Sequence, residues 1–155
     1  MVELEPLLKT STNYDYYDDV TRIYNIKEKV TMIVRIFTLC DGAYNYNGKL
    51  TIVGTVDNIK VQKVPEKASV GLAAKIEFPP QESGDKQIVF RFKDSNKNLI
   101  VPELNVQTKT EKRDETMSLV IAGNVSGLDI KDVGDYFVEM SVNDEVVILP
   151  FKVVK

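Results

Sequence analysis

Ile33-Val-Arg-Ile-Phe-Thr-Leu-Cys-Asp-Gly-Ala-Tyr-Asn-Tyr-Asn-Gly-Lys-Leu-Thr-Ile-Val-Gly-Thr-Val-Asp-Asn-Ile59 reads as strand, turn, strand. Asn47-Gly48 lies between two runs rich in β-branched and aromatic residues, and both residues accept the positive φ that a tight hairpin needs. In the first run Val34, Ile36, Phe37 and Leu39 alternate poorly, as in a strand covered on both faces, so a second layer is expected over it. Gly54 in the return run predicts a bulge or a close backbone approach.

Downstream the period of two continues. Val70, Leu72, Ala74, Ile76 and Phe78 alternate with more polar neighbours until Pro79-Pro80, which predicts a strand with one buried face. Ile88, Phe90 and Phe92 form the next, and Asp94-Ser-Asn-Lys-Asn98 is a turn by composition. A strand is expected over Leu99–Thr110, with Pro102 marking an edge or a start. Met117, Leu119 and Ile121 open another. In Asp132-x-Gly134-x-Tyr136 the pattern resembles the tyrosine corner of immunoglobulin-like domains, where a tyrosine at a strand start bonds back to the upstream backbone. Asn143-Asp144 then separates two closing strands, with Pro150 facing outward. The fold expected is therefore all-β: an immunoglobulin-like antiparallel β-sandwich of about eight or nine strands.

Residues 1–30 differ in character and are expected to be an N-terminal extension to a domain at 31–155. Tyr14, Tyr16, Tyr17 and Tyr24 supply four of the seven tyrosines and interleave with Asp15, Asp18 and Asp19. The segment fits either a short amphipathic helix from Tyr17 to Lys29 or an extended arm laid across the sheet. That arm is the expected cover for the second face of the opening strand.

A length of 155 residues fits one domain that can bury a core without disulfides. Net charge is -3, with no basic stretch to neutralise phosphates, so nucleic acid is not an expected partner. No apolar run approaches the roughly 20 residues that span a bilayer, and the acidic start is unlike a secretory signal, so no membrane partner and a cytoplasmic location are expected. The single cysteine, Cys40, reads as a small buried thiol, because the chain contains no histidine to activate it.

The segment from Phe37 to Ile59 resembles the opening of a family of uncharacterised bacterial β-sandwich proteins, in which an Asn-Gly-Lys-Leu turn and a Gly-Thr-x-Asp-x-Ile segment recur. The likeness extends from about Thr31 to the end and implies the fold, with no activity or ligand attached.

No nucleophile elbow or phosphate loop is present, so no catalytic residue, cofactor or metal is assigned. The chain is expected to be no enzyme but a non-catalytic interaction or structural module, binding a protein partner or forming a homo-oligomer. Its candidate contacts are Tyr14, Tyr16, Tyr17, Tyr24, Tyr44 and Tyr46, since tyrosine gives rigid amphipathic contact area. Asp132, Gly134 and Tyr136 are assigned to the structural corner. The alternative is a small-molecule or carbohydrate-binding module, or a carboxylate-dependent hydrolase, built on a rim of Asp41 and Asp57 beside Tyr44 and Tyr46.

Overall fold

A computed structural model describes residues 31–155. The opening stretch forms the expected hairpin, with β1 (Ile33–Tyr46) returning as β2 (Lys49–Thr55). Asn47 and Gly48 take φ of 49° and 75°, and the Gly48 N–H donates to Asn45 Oδ1 at 3.0 Å. Positive φ at both central positions gives the turn the same hand of twist as its flanking strands, which fixes the register of Tyr46 opposite Lys49. Gly54 also has positive φ, 59°, and a side chain there would strike the Asp41 carboxylate.

Seven more strands follow: β3 (Asn58–Lys60), β4 (Glu66–Phe78), β5 (Gly84–Asp94), β6 (Leu104–Thr110), β7 (Met117–Ile130), β8 (Gly134–Val142) and β9 (Glu145–Val154). They make a four-stranded antiparallel sheet in the order β2-β1-β4-β7 and a five-stranded sheet in the order β3-β9-β8-β5-β6. The all-β class and the strand number are as the sequence predicts, and no helix occurs among the described residues. The arrangement is not purely antiparallel. β3 pairs in parallel with the last residues of β9, because the chain leaves β2, crosses to the other sheet and enters beside its own C-terminus. The strand expected from Leu99 begins only at Leu104. Leu99 is exposed, and Ile100 instead turns inward, its N–H donating to Phe92 O at 3.0 Å.

One core fills the space between the sheets. Val70, Leu72, Ala74, Ile76 and Phe78 of β4 face Ile88, Phe90 and Phe92 of β5 and Val138 and Met140 of β8. The alternation read from the sequence is what places them there, since successive side chains of a strand point to opposite faces. β4 departs from one-sided burial in its middle, where Gly71 and Ala73 are buried as well. A second cluster explains this: Ala43, Leu50 and Ile52 of the β1–β2 hairpin pack with Cys40, Ala73 and Ala122. Side chains this small let the hairpin curl over the sheet it belongs to, and a Cβ on Gly71 would lie 2.8 Å from Cys40 O. The poor alternation of β1 has another cause than a second layer over its whole length: a register shift between Val34 and Ile36 brings Val34, Phe37 and Leu39 to the same core, and among the described residues the hairpin covers only Cys40 and Ala43 of β1. The N-terminal arm expected in that role lies outside the described residues, as does its alternative as a helix. Cys40 is buried as expected, and that burial pushes its thiol up.

The corner is present. Tyr136 Oη donates to Asp132 O at 2.8 Å, and the ring stacks on Phe151 with centroids 5.6 Å apart. Gly134, at φ 136°, makes the sharp entry into β8. Tyr136→Phe leaves the ring and orphans the carbonyl, so urea unfolding is expected to show a loss of about 1 kcal/mol. Met32–Lys155 form one unit distinct from Met1–Thr31.

Candidate functional site

Tyr44 and Tyr46 belong to β1, two residues apart and therefore on one face. Gly42 shares that face and stands opposite Val53, while Tyr44 stands opposite Thr51 and Tyr46 opposite Lys49. The opposite face of the same hairpin is committed to the Ala73 cluster. What remains outward is a surface on which Tyr44, Tyr46 and Val53 are 59%, 71% and 54% exposed. The Tyr44 ring folds back over Gly42, where a Cβ would come within 3.1 Å of the hydroxyl. Tyr14, Tyr16, Tyr17 and Tyr24, with Asp15, Asp18 and Asp19, lie outside the described residues.

Among the described residues the two carboxylates expected to form a rim line different depressions. Asp41 lies within β1, which runs five residues further to Tyr46, and not at a strand end. It lines a polar groove of about 340 Å³ with Asn58, Lys60, Ser69, Asn124 and Ser126. Asp57 faces a different depression of about 400 Å³ beside Asp135, Tyr136 and Lys152. Neither includes Tyr44 or Tyr46. No group of three or more histidine, cysteine, aspartate or glutamate side chains with the spacing of a metal site occurs among the described residues.

A polar cluster on the outer face of the five-stranded sheet escaped the sequence reading. Arg91 and Glu139 are cross-strand partners of β5 and β8. Arg91 Nη1 donates to Glu139 Oε1 at 3.2 Å and to Ser141 Oγ at 3.1 Å, and its Nε donates to Glu103 Oε1 at 2.6 Å. Lys93 Nζ reaches Glu139 Oε2 at 2.9 Å and lies 6.0 Å from the Phe137 ring centroid. The hydrogen bond from Lys93 outweighs burial and holds the Glu139 carboxyl below its ordinary value. Arg91 and Lys93 alternate with the inward Phe90 and Phe92 and so face outward, but only the β5–β8 register brings Glu139 to them. Every charge in the cluster is matched, so it braces the sheet and offers no free group for chemistry.

The fold and these surfaces define a class: a two-sheet all-β domain with an exposed aromatic hairpin. The chain belongs to a family of unknown function (DUF6941), whose model matches residues 35–154. No curated protein matches it. Among solved structures it is similar to part of an alkylpurine DNA glycosylase, AlkC, from Pseudomonas fluorescens, bound to DNA containing an abasic site analog, with a TM-score of 0.47 and 10% identity. That match covers 81% of this chain and 31% of the glycosylase. A β-glucosidase from Listeria innocua in complex with glucose matches with a TM-score of 0.44 and 8% identity, over 80% of this chain and 16% of the enzyme.

Proposed function

We propose that the protein is a non-catalytic cytoplasmic interaction module of immunoglobulin-like architecture, which contacts a protein partner through the outer face of its β1–β2 hairpin. The observation that carries this reading is the exposure of Tyr44, Tyr46 and Val53 together on one face of a hairpin whose other face is buried. Scattered exposed apolar residues are ordinary, but large ones gathered on a rigid element are the composition of contact hot spots. Rigidity matters because little side-chain entropy is lost when a tyrosine on a strand is covered. The tyrosine corner supports the immunoglobulin-like assignment. The alternative rim of Asp41 and Asp57 has less behind it, since the two carboxylates line separate depressions.

The test uses the full chain and Tyr44→Ser/Tyr46→Ser. A protein recovered with the wild type from its source cells is purified and titrated against both forms. Affinity is expected to fall at least about tenfold in the double variant, the equivalent of about 1.4 kcal/mol. Equal affinity for both forms would remove the hairpin face from the reading.

A further inference from the structure

A second surface stands apart from that hairpin. The five-stranded sheet ends on one side at β9, and β3 covers only its last residues, beginning where Asn58 stands opposite Lys152. Among the described residues the edge of β9 is therefore open from Glu145 to Phe151. Its ladder direction is fixed at both ends. The Asn143-Asp144 turn closes on the pair Val142 and Glu145, so Glu145, Val147 and Leu149 direct their backbone groups to β8. At the far end the Lys152 N–H points away from β8, donating to Asp57 O at 3.0 Å. By the same alternation Val146, Ile148 and Pro150 turn their backbone groups to the open edge.

Open edges are normally blunted by charge, proline or a bulge. β6, the opposite edge of this sheet, presents exposed Asn105, Gln107 and Lys109. β7, an edge of the other sheet, is irregular, with a register shift opposite Ala68/Ser69 and Gly127 at φ 80°. From Val146 to Leu149 β9 has no charge, proline or bulge, and Pro150 stands only at the end of that stretch. Its edge-facing residues Val146 and Ile148 are 54% and 59% exposed.

We infer that this edge pairs with the same edge of a second copy, antiparallel about a two-fold axis near Val147. In that register Val146 of each copy stands opposite Ile148 of the other, and about four backbone hydrogen bonds join the two five-stranded sheets into one. Charge selects the second copy and the antiparallel sense. The open segment is acidic at its start, Asp144-Glu145, and basic just past its end, at Lys152. A two-fold axis sets the acidic end of each copy beside the basic end of the other, whereas a parallel arrangement would set acid on acid. Pro150, which lacks the N–H, falls opposite Asp144 and closes the pairing there. The segment thus has a defined length, which a closed dimer needs and an open fibre does not.

The inference is independent of the hairpin reading and is tested separately by sedimentation of the full chain at roughly 100 µM, a concentration suited to a small interface. The wild type and Tyr44→Ser/Tyr46→Ser are expected to sediment as dimers, and Ile148→Lys and Val146→Lys as monomers with unchanged circular dichroism. Hydrogen exchange supplies a second readout that needs no variant. On dilution the edge-facing amides of Val146 and Ile148 are expected to lose protection at least about tenfold, while those of Val147 and Leu149, bonded to β8, keep theirs. A wild-type monomer at that concentration, a dimer that survives both lysine substitutions, or dilution-independent exchange at Val146 and Ile148 would each overturn the pairing.

Discussion

Replacing Lys86 with methionine is expected to lower stability by about 3–5 kcal/mol, because it removes the cationic half of a buried ion pair. Lys86 has the same parity along β5 as Ile88, Phe90 and Phe92, so its side chain enters the protein and is only 5% exposed. Its Nζ meets Glu82 Oε1 at 2.6 Å and lies 5.6 Å from the Phe78 ring centroid. Glu82 is itself held in the turn after β4, its N–H donating to Pro79 O at 2.9 Å. The pair therefore ties that turn to the start of β5. Methionine keeps the length and apolar stem of lysine and removes only the charge, so the loss read by urea unfolding is electrostatic rather than a cavity. A loss below about 1 kcal/mol in that variant would show instead that the pair is solvated like one on the surface. For a domain whose whole stability is about 5–15 kcal/mol, the two outcomes are easily told apart.

Lys86 also marks the limit of what the residue pattern conveys. Period-two alternation placed β4 and β5 and their core residues correctly, because that signal is local and repeats along each strand. The Asn47-Gly48 turn and the Tyr136 corner were legible for a related reason: each depends on a few adjacent residues with special backbone or hydrogen-bonding capacity. What alternation could not convey was pairing between distant segments. The parallel addition of β3 to β9 joins residues far apart in the chain and has no local signature. The hairpin's curl over Ala73 and Ala122 depends on small residues from three strands meeting in space. Tyr44 and Tyr46 were picked out by type, but their shared face with Val53 requires the β1–β2 register. Asp41 and Asp57 show the same limit, since they are close in sequence yet line different depressions among the described residues.

Phe90, expected from the sequence to be one of three apolar residues of its strand together with Ile88 and Phe92, is in the core, and its truncation to alanine carries the other large expected effect. Phe90 is at the centre of β5, opposite Leu104 of β6 on one side and Met140 of β8 on the other. Its ring meets Phe37 of the facing sheet at a centroid distance of 6.1 Å and an angle of 46°, so it bridges the two layers. Neither neighbour can move in to fill the space, since each is fixed by its own ladder and by inner-face packing that is already dense. Phe90→Ala is therefore expected to lose the transfer free energy of the ring and to keep most of the cavity, about 3–5 kcal/mol. Phe90→Leu, which retains much of the volume, is expected to cost clearly less. The diagnostic is the denaturant midpoint at constant slope: a fall in the midpoint with unchanged slope places the loss in the folded core. A change in slope, or a cost for alanine no greater than that for leucine, would mean that the two sheets can close over the gap and that Phe90 does not set their spacing.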